Sequence, residues 1–128
     1  MTEAERLAIE ELLSRYVHLV DDADWDRLDE IFTPDGVFDL TAIGKGAPEG
    51  LDELRACYAG LDHPLAHHTT NIVIEPAGAG AARVRSKYLV VRADGRTGSG
   101  EYHDEAVRGE AGWRLRRRTV LPRRPRVS

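Results

Sequence analysis

The sequence predicts an α+β domain in which about three N-terminal helices pack on a curved, mostly antiparallel sheet. Apolar residues recur about every 3.6 positions in the first half of the chain and at every second position after Pro64. The late strands are joined by short links, which suit antiparallel hairpins. The 128 residues are enough for one core. We therefore expect a single domain over residues 1–121, followed by a basic tail over residues 122–128.

The first half of the chain is predicted to form three helices. Thr2 and Glu5 make a capping-box pattern before an apolar stripe, which indicates a first helix over about residues 3–21. Asp24 is the expected cap of a second, shorter helix. That helix should stop at Thr33, because the proline that follows disfavours helical backbone before it. A glycine-rich loop then leads into a third helix, whose apolar side holds Leu51, Leu54, Tyr58 and Leu61.

Strands are predicted on both sides of the third helix. A short strand is expected over residues 36–40, and the later ones alternate apolar and polar side chains. In the clearest case Val84, Ser86, Tyr88 and Val90 alternate with charged residues. The expected later strands cover residues 67–75, residues 84–90, residues 99–108 and residues 112–120.

Charge is distributed unevenly along the chain. The net charge is −4, yet residues 114–128 contain seven arginines and no acidic residue. Prolines and the lack of interleaved aromatics favour a tail that is solvated or packs on its own domain, so we expect no nucleic-acid partner. No apolar run approaches the roughly 20 residues that cross a bilayer, so no membrane association is expected. The acidic N-terminus is unlike a signal peptide, which predicts a cytoplasmic protein.

A carboxylate interrupts the apolar face of the first helix. Asp21 lies four positions after Val17 on that face, near the C-terminal end, where burial and the helix dipole both disfavour negative charge. It needs a partner, and His67 and His68 are the candidates, one on each side of a regular strand. A carboxylate that orients an imidazole produces a general base suited to neutral pH. The alternative is a structural pair in which the histidine only satisfies the carboxylate.

Three segments together form a longer pattern. They are Arg15-Tyr16 with Val20 through Leu28, then His67-His68-Thr69-Thr70-Asn71, then Gly100-Glu101-Tyr102 with Gly112-Trp113-Arg114-Leu115. The pattern resembles the SnoaL-like branch of the NTF2-like superfamily, with motif spacing similar to its scytalone dehydratase and hexachlorocyclohexane dehydrochlorinase members. The resemblance implies a cone-shaped α+β barrel that holds a small hydrophobic ligand. It also implies a homodimer, with a trimer as the other option.

The resemblance assigns roles to individual residues. It places the catalytic pair at Asp21 and His67, and implies a substrate pocket. Some expected pocket residues have alternatives. Asn71 either contacts ligand or caps a strand bulge, and Arg118 shares strand parity with solvated arginines. Tyr16 and Tyr58 are either substrate contacts or core aromatics. The expected substrate-binding residues are Tyr16, Phe38, Tyr58, Asn71, Tyr102 and Arg118.

The predicted function is a dehydratase-type lyase or isomerase that acts on a hydrophobic carbonyl compound, polyketide-like, aromatic or steroidal, through this Asp-His pair. A cyclase with the same base and a non-catalytic binding module are the alternatives. The sequence has no nucleotide-binding or cysteine-pair motif, so we expect no cofactor. We also expect no metal, because strand parity keeps the histidines from converging.

Overall fold

The computed structural model describes residues 1–125, and its first helix matches the prediction. Helix α1 spans Glu3–Asp21, and the Thr2 hydroxyl accepts a hydrogen bond from the Glu5 amide at 3.1 Å. This bond satisfies one of the amides that has no partner inside the helix. The buried side of α1 consists of Ile9, Leu12, Leu13, Tyr16, Leu19 and Val20. Residues 126–128 of the predicted tail lie outside the described residues.

The second helical segment is shorter than predicted. It is a six-residue 3₁₀ helix over Trp25–Glu30. Strand β1 follows almost at once and spans Phe32–Asp39. Asp24 occupies the cap position but makes no capping hydrogen bond through its side chain. The predicted stop at Thr33 is therefore wrong. Pro34 lies inside β1, which is tolerated because β1 is an edge strand whose pairing is irregular at this point.

The third predicted helix is present as α2, Leu51–Gly60, and buries Leu54 and Tyr58. A three-residue 3₁₀ helix over Thr41–Ile43 precedes it and was not predicted. Among the described residues no helix is long and apolar enough to cross a membrane.

Five strands form one sheet beneath these helices. After β1, the strands are β2 (Ala66–Pro76), β3 (Ala81–Val91), β4 (Thr97–Gly109) and β5 (Gly112–Pro122). Their order is β1-β5-β4-β3-β2, and only β1 and β5 are parallel. This confirms the α+β architecture with a mostly antiparallel sheet. Strand β5 ends at Pro122, one residue past the predicted domain end at residue 121. The amide of Arg123 then donates a hydrogen bond to the Ser99 carbonyl at 2.8 Å.

Two irregularities in the sheet change which side chains face the helices. In β2 the pairing with β3 shifts between Thr70 and Val73, and Asn71 adopts a positive φ of 55°. In β5 the pairing with β4 skips Arg116, because Leu115 opposes Ala106 while Arg117 opposes Glu105. Such a bulge reverses the alternation of side chains beyond it.

Candidate functional site

A cavity of about 220 Å³ lies between the helices and the sheet. Four of the predicted substrate-binding residues line it, namely Tyr16, Phe38, Tyr58 and Tyr102, and His67 contributes to the same wall. A larger depression of about 440 Å³ lies on the opposite sheet face, where charged side chains such as Arg83, Arg85 and Glu105 line it. The smaller cavity is the better candidate, because it combines apolar walls with a few polar groups.

The fold brings Asp21 and His67 into direct contact although 46 positions separate them. The His67 Nδ1 and Asp21 Oδ1 atoms are 2.6 Å apart, and the His67 amide donates to Asp21 Oδ2 at 3.1 Å. His68 points to the other face of β2 and is exposed. Since Nδ1 donates to the carboxylate, the neutral ring keeps its lone pair on Nε2.

Asp21 differs from the expectation in its burial. We expected a carboxylate buried in the core, whereas Asp21 as a whole residue is exposed. Its side chain alone is 22% exposed, and that of His67 is 10% exposed. The reason is that Asp21 is the last residue of α1, so its backbone reaches solvent while its carboxylate folds toward β2.

The environment of His67 favours the neutral imidazole. Burial lowers the pKa of His67 below its ordinary value, and the hydrogen bond and charge of Asp21 oppose this only in part. The contact with Asp21 is therefore a hydrogen bond to a neutral ring at pH 7 rather than an ion pair. A neutral imidazole is the form that can accept a proton.

Two tyrosine hydroxyls meet at the cavity wall. The oxygens of Tyr16 and Tyr58 are 2.8 Å apart, and Phe38 stacks on the Tyr58 ring at a centroid distance of 4.5 Å. Burial raises the pKa of both hydroxyls, so they stay protonated at neutral pH. Only one of the two hydrogens is used in the mutual bond, which leaves the pair one O–H to donate.

A buried ion pair packs against the rings of Tyr16 and Tyr102. Arg118 and Asp104 form a bidentate pair at 2.8 and 2.9 Å, and both side chains are fully buried. The guanidinium carbon lies 4.2 Å from the Tyr16 ring centroid and 3.8 Å from that of Tyr102. Burial lowers the pKa of Arg118, but the Asp104 carboxylate outweighs this and raises it above its ordinary value. Arg118 therefore stays charged.

A second histidine, His63, also lines the cavity and was missed at the level of sequence. It lies between α2 and β2, and its Nε2 is 2.6 Å from the Tyr58 carbonyl oxygen. Its ring packs on Trp25 at a centroid distance of 5.1 Å. The four-residue spacing to His67 was the available signal, but the intervening chain is neither regular helix nor strand.

A model of the SnoaL-like domain matches residues 2–119 of the chain. The chain belongs to the SnoaL-like family. Proteins with curated descriptions yield no significant match to it.

Solved structures similar to this SnoaL-like domain cover nearly all of it. A putative aromatic ring hydroxylase from Novosphingobium aromaticivorans is 33% identical, with 98% of this chain and 93% of that one covered and a TM-score of 0.82. A putative scytalone dehydratase from Novosphingobium aromaticivorans is 26% identical, with 94% and 85% covered and a TM-score of 0.79. LinA, at 21% identity with 94% and 87% covered and a TM-score of 0.79, shares the fold. Another match is an NTF2-like protein with a cystatin-like fold.

Two of the expected substrate-binding residues do not line the cavity of this SnoaL-like domain. Asn71 is exposed and lies at the bulge of β2. Arg118 is neither on a solvated face nor on the cavity surface, because the bulge at Arg116 turns it into the core. Its partner Asp104 was not predicted, although it shares strand parity with Tyr102. Among residues 1–125 no group of three or more His, Cys, Asp or Glu side chains is arranged to hold a metal ion.

Proposed function

We propose that this SnoaL-like protein is a cofactor-independent lyase or isomerase of the dehydratase type, acting on a hydrophobic carbonyl compound. The observation that carries the proposal is the 2.6 Å contact between Asp21 and His67 at the wall of an aromatic cavity. A carboxylate in this position fixes the tautomer of the imidazole and stabilises the imidazolium that forms during catalysis.

In the proposed reaction His67 Nε2 removes a proton from the carbon next to the substrate carbonyl. The C–H electron pair moves toward the carbonyl oxygen, where the free hydroxyl of the Tyr16–Tyr58 pair donates a hydrogen bond to the developing negative charge. Collapse of the enolate then forms a carbon–carbon double bond and breaks the bond to the β-hydroxyl group, which takes up a proton and leaves as water. In a substrate that has a β,γ double bond instead of a leaving group, return of the proton at the γ-carbon shifts that double bond into conjugation with the carbonyl.

The cavity favours a compact substrate. Ligand pockets usually measure about 300–1,000 Å³, so a cavity of about 220 Å³ suits a small aromatic or polyketide-like compound better than a steroid. The names of two similar structures, an aromatic ring hydroxylase and a scytalone dehydratase, both putative, are in keeping with such a ligand. The homodimer and the cytoplasmic location stay predictions.

The test is proton exchange and dehydration of a simple β-hydroxy ketone, the aldol adduct of benzaldehyde and acetone. In deuterium oxide the wild-type protein should exchange the protons next to the carbonyl and form benzylideneacetone, which NMR follows. His67→Ala should lose about a hundredfold or more of both rates, since general base catalysis contributes about 10²–10⁴-fold. His68→Ala is the matched control, because its imidazole is exposed on the other face of the same strand.

If His67→Ala lowers the rates of proton exchange and dehydration by less than about threefold, the assignment of His67 as the base is wrong. A non-catalytic binding module would bind the ketone without exchanging its protons in any variant.

A further inference from the structure

The cavity contains two imidazoles in contrasting environments. His67 is buried on β2 and hydrogen-bonded to a carboxylate, whereas His63 is half-buried in the segment that follows α2. The mechanism described above uses only His67. Elimination of water also needs a proton for the departing oxygen, because hydroxide is a poor leaving group.

The hydrogen bond of His63 fixes which nitrogen is available. A carbonyl oxygen can only accept, so the 2.6 Å contact with the Tyr58 carbonyl requires a hydrogen on Nε2. The remaining nitrogen, Nδ1, has no hydrogen-bond partner among residues 1–125. The ring packs on Trp25 and lies nearly parallel to the Tyr58 ring, with an interplanar angle of 7°. These contacts hold the imidazole in one orientation at the cavity wall.

The His63 imidazole contacts the C-terminal end of α2. Tyr58 lies in the last turn of α2, so its carbonyl is one of the groups at the negative end of the helix dipole. A cation is stabilised there by the dipole and by the carbonyl oxygen that it contacts. Besides the neutral ring of His67, the cavity that His63 lines also has the charged side chains Lys45, Asp62 and Arg92, all of them exposed.

We propose that His63 is the general acid of the reaction, and that its Nδ1–H protonates the leaving hydroxyl group; this assignment rests on the proposed function. His67 Nε2 takes the proton next to the carbonyl, and that C–H electron pair becomes the new double bond. The C–O bond breaks with its electron pair going to oxygen, which takes the proton from His63 and departs as water. One turnover leaves His67 protonated and His63 neutral, and exchange with solvent restores both.

The decisive variant is His63→Gln, because the glutamine amide can still donate to the Tyr58 carbonyl but cannot transfer a proton. With the aldol adduct of benzaldehyde and acetone, dehydration should fall by about a hundredfold, while proton exchange next to the carbonyl changes by less than about threefold. The O-acetyl ester of the same ketone has a leaving group that needs no protonation, so its elimination should stay near the wild-type rate. His68→Gln is the control for a histidine outside the cavity.

A binding measurement tests the same contact without turnover. Calorimetry should show that His63→Gln weakens binding of the hydroxy ketone by about tenfold, the effect of losing one hydrogen bond to a charged group. Binding of benzylacetone, which lacks the hydroxyl, should not change.

The two proposals fail in different ways. Unchanged proton exchange in His67→Ala removes the proposed function. A His63→Gln variant that alters exchange and dehydration by the same factor, or binds both ketones equally less well, overturns the role of His63 and indicates that it only caps α2.

Discussion

Replacing Asp104 with asparagine should strongly destabilise the protein, because it leaves a buried guanidinium without its counter-charge. Arg118 and Asp104 are both fully buried and share two hydrogen bonds. Breaking such a pair from one side costs about 3–5 kcal/mol of unfolding free energy. The Tyr16 and Tyr102 rings that flank the guanidinium cannot replace the lost charge. For a chain of this length the cost corresponds to a fall in Tm of about 12–20 °C.

Urea unfolding followed by the fluorescence of Trp25 and Trp113 measures this cost. The double variant Asp104→Leu with Arg118→Met should recover most of the stability, because apolar side chains of similar volume can replace a buried ion pair. Glu101→Gln is the control, since it removes the partner of Arg85 on the exposed sheet face, where solvent screens the pair. A cost below about 1 kcal/mol for Asp104→Asn, or a double variant no more stable than the single one, would refute the reasoning.

Other consequences can be measured on the same preparation. The rate of proton exchange should rise with pH through the pKa of His67, which burial places below 6.5, and then level off. Asp21→Asn should move this rise to lower pH, because the Asp21 carboxylate raises the pKa of His67 and the asparagine does not. His67 also makes the folded state less stable as the pH falls below about 6.5, because the imidazole of the unfolded chain binds a proton more readily than the buried one. Gly100→Ala should cost about 1–3 kcal/mol in urea unfolding, because the added methyl group would meet the Tyr88 hydroxyl and the Leu121 carbonyl. Asn71→Gly should be tolerated whereas Asn71→Val costs about 1–2 kcal/mol, because only the valine is strained at a positive φ.

Helical periodicity made the first helix and the position of its carboxylate predictable. The apolar stripe and the Thr2 cap are local features, and the structure has both at the predicted residues. The second helix was less predictable, because the rule that a helix stops before proline cannot tell a helix end from an edge strand. The pairing of Phe32 in β1 with Leu115 in β5 decided between them.

The candidate site was predictable only in part. A carboxylate on an apolar face demands a partner, and this alone pointed from Asp21 to the pair of histidines. His63 could not be found this way, because its role depends on the Tyr58 carbonyl and the Trp25 ring, which only the packing of α2 brings to it.

The sequence by itself determined the α+β architecture and the need for a donor beside Asp21, because these follow from side-chain periodicity and from the cost of an unpaired charge. The family was indicated by the resemblance of its three motif segments. The tertiary structure decided what depends on strand register. A single extra residue at Arg116 reverses the alternation in β5 and places Arg118 in the core with Asp104. A bulge forms between paired strands, so no pattern within one strand reveals it.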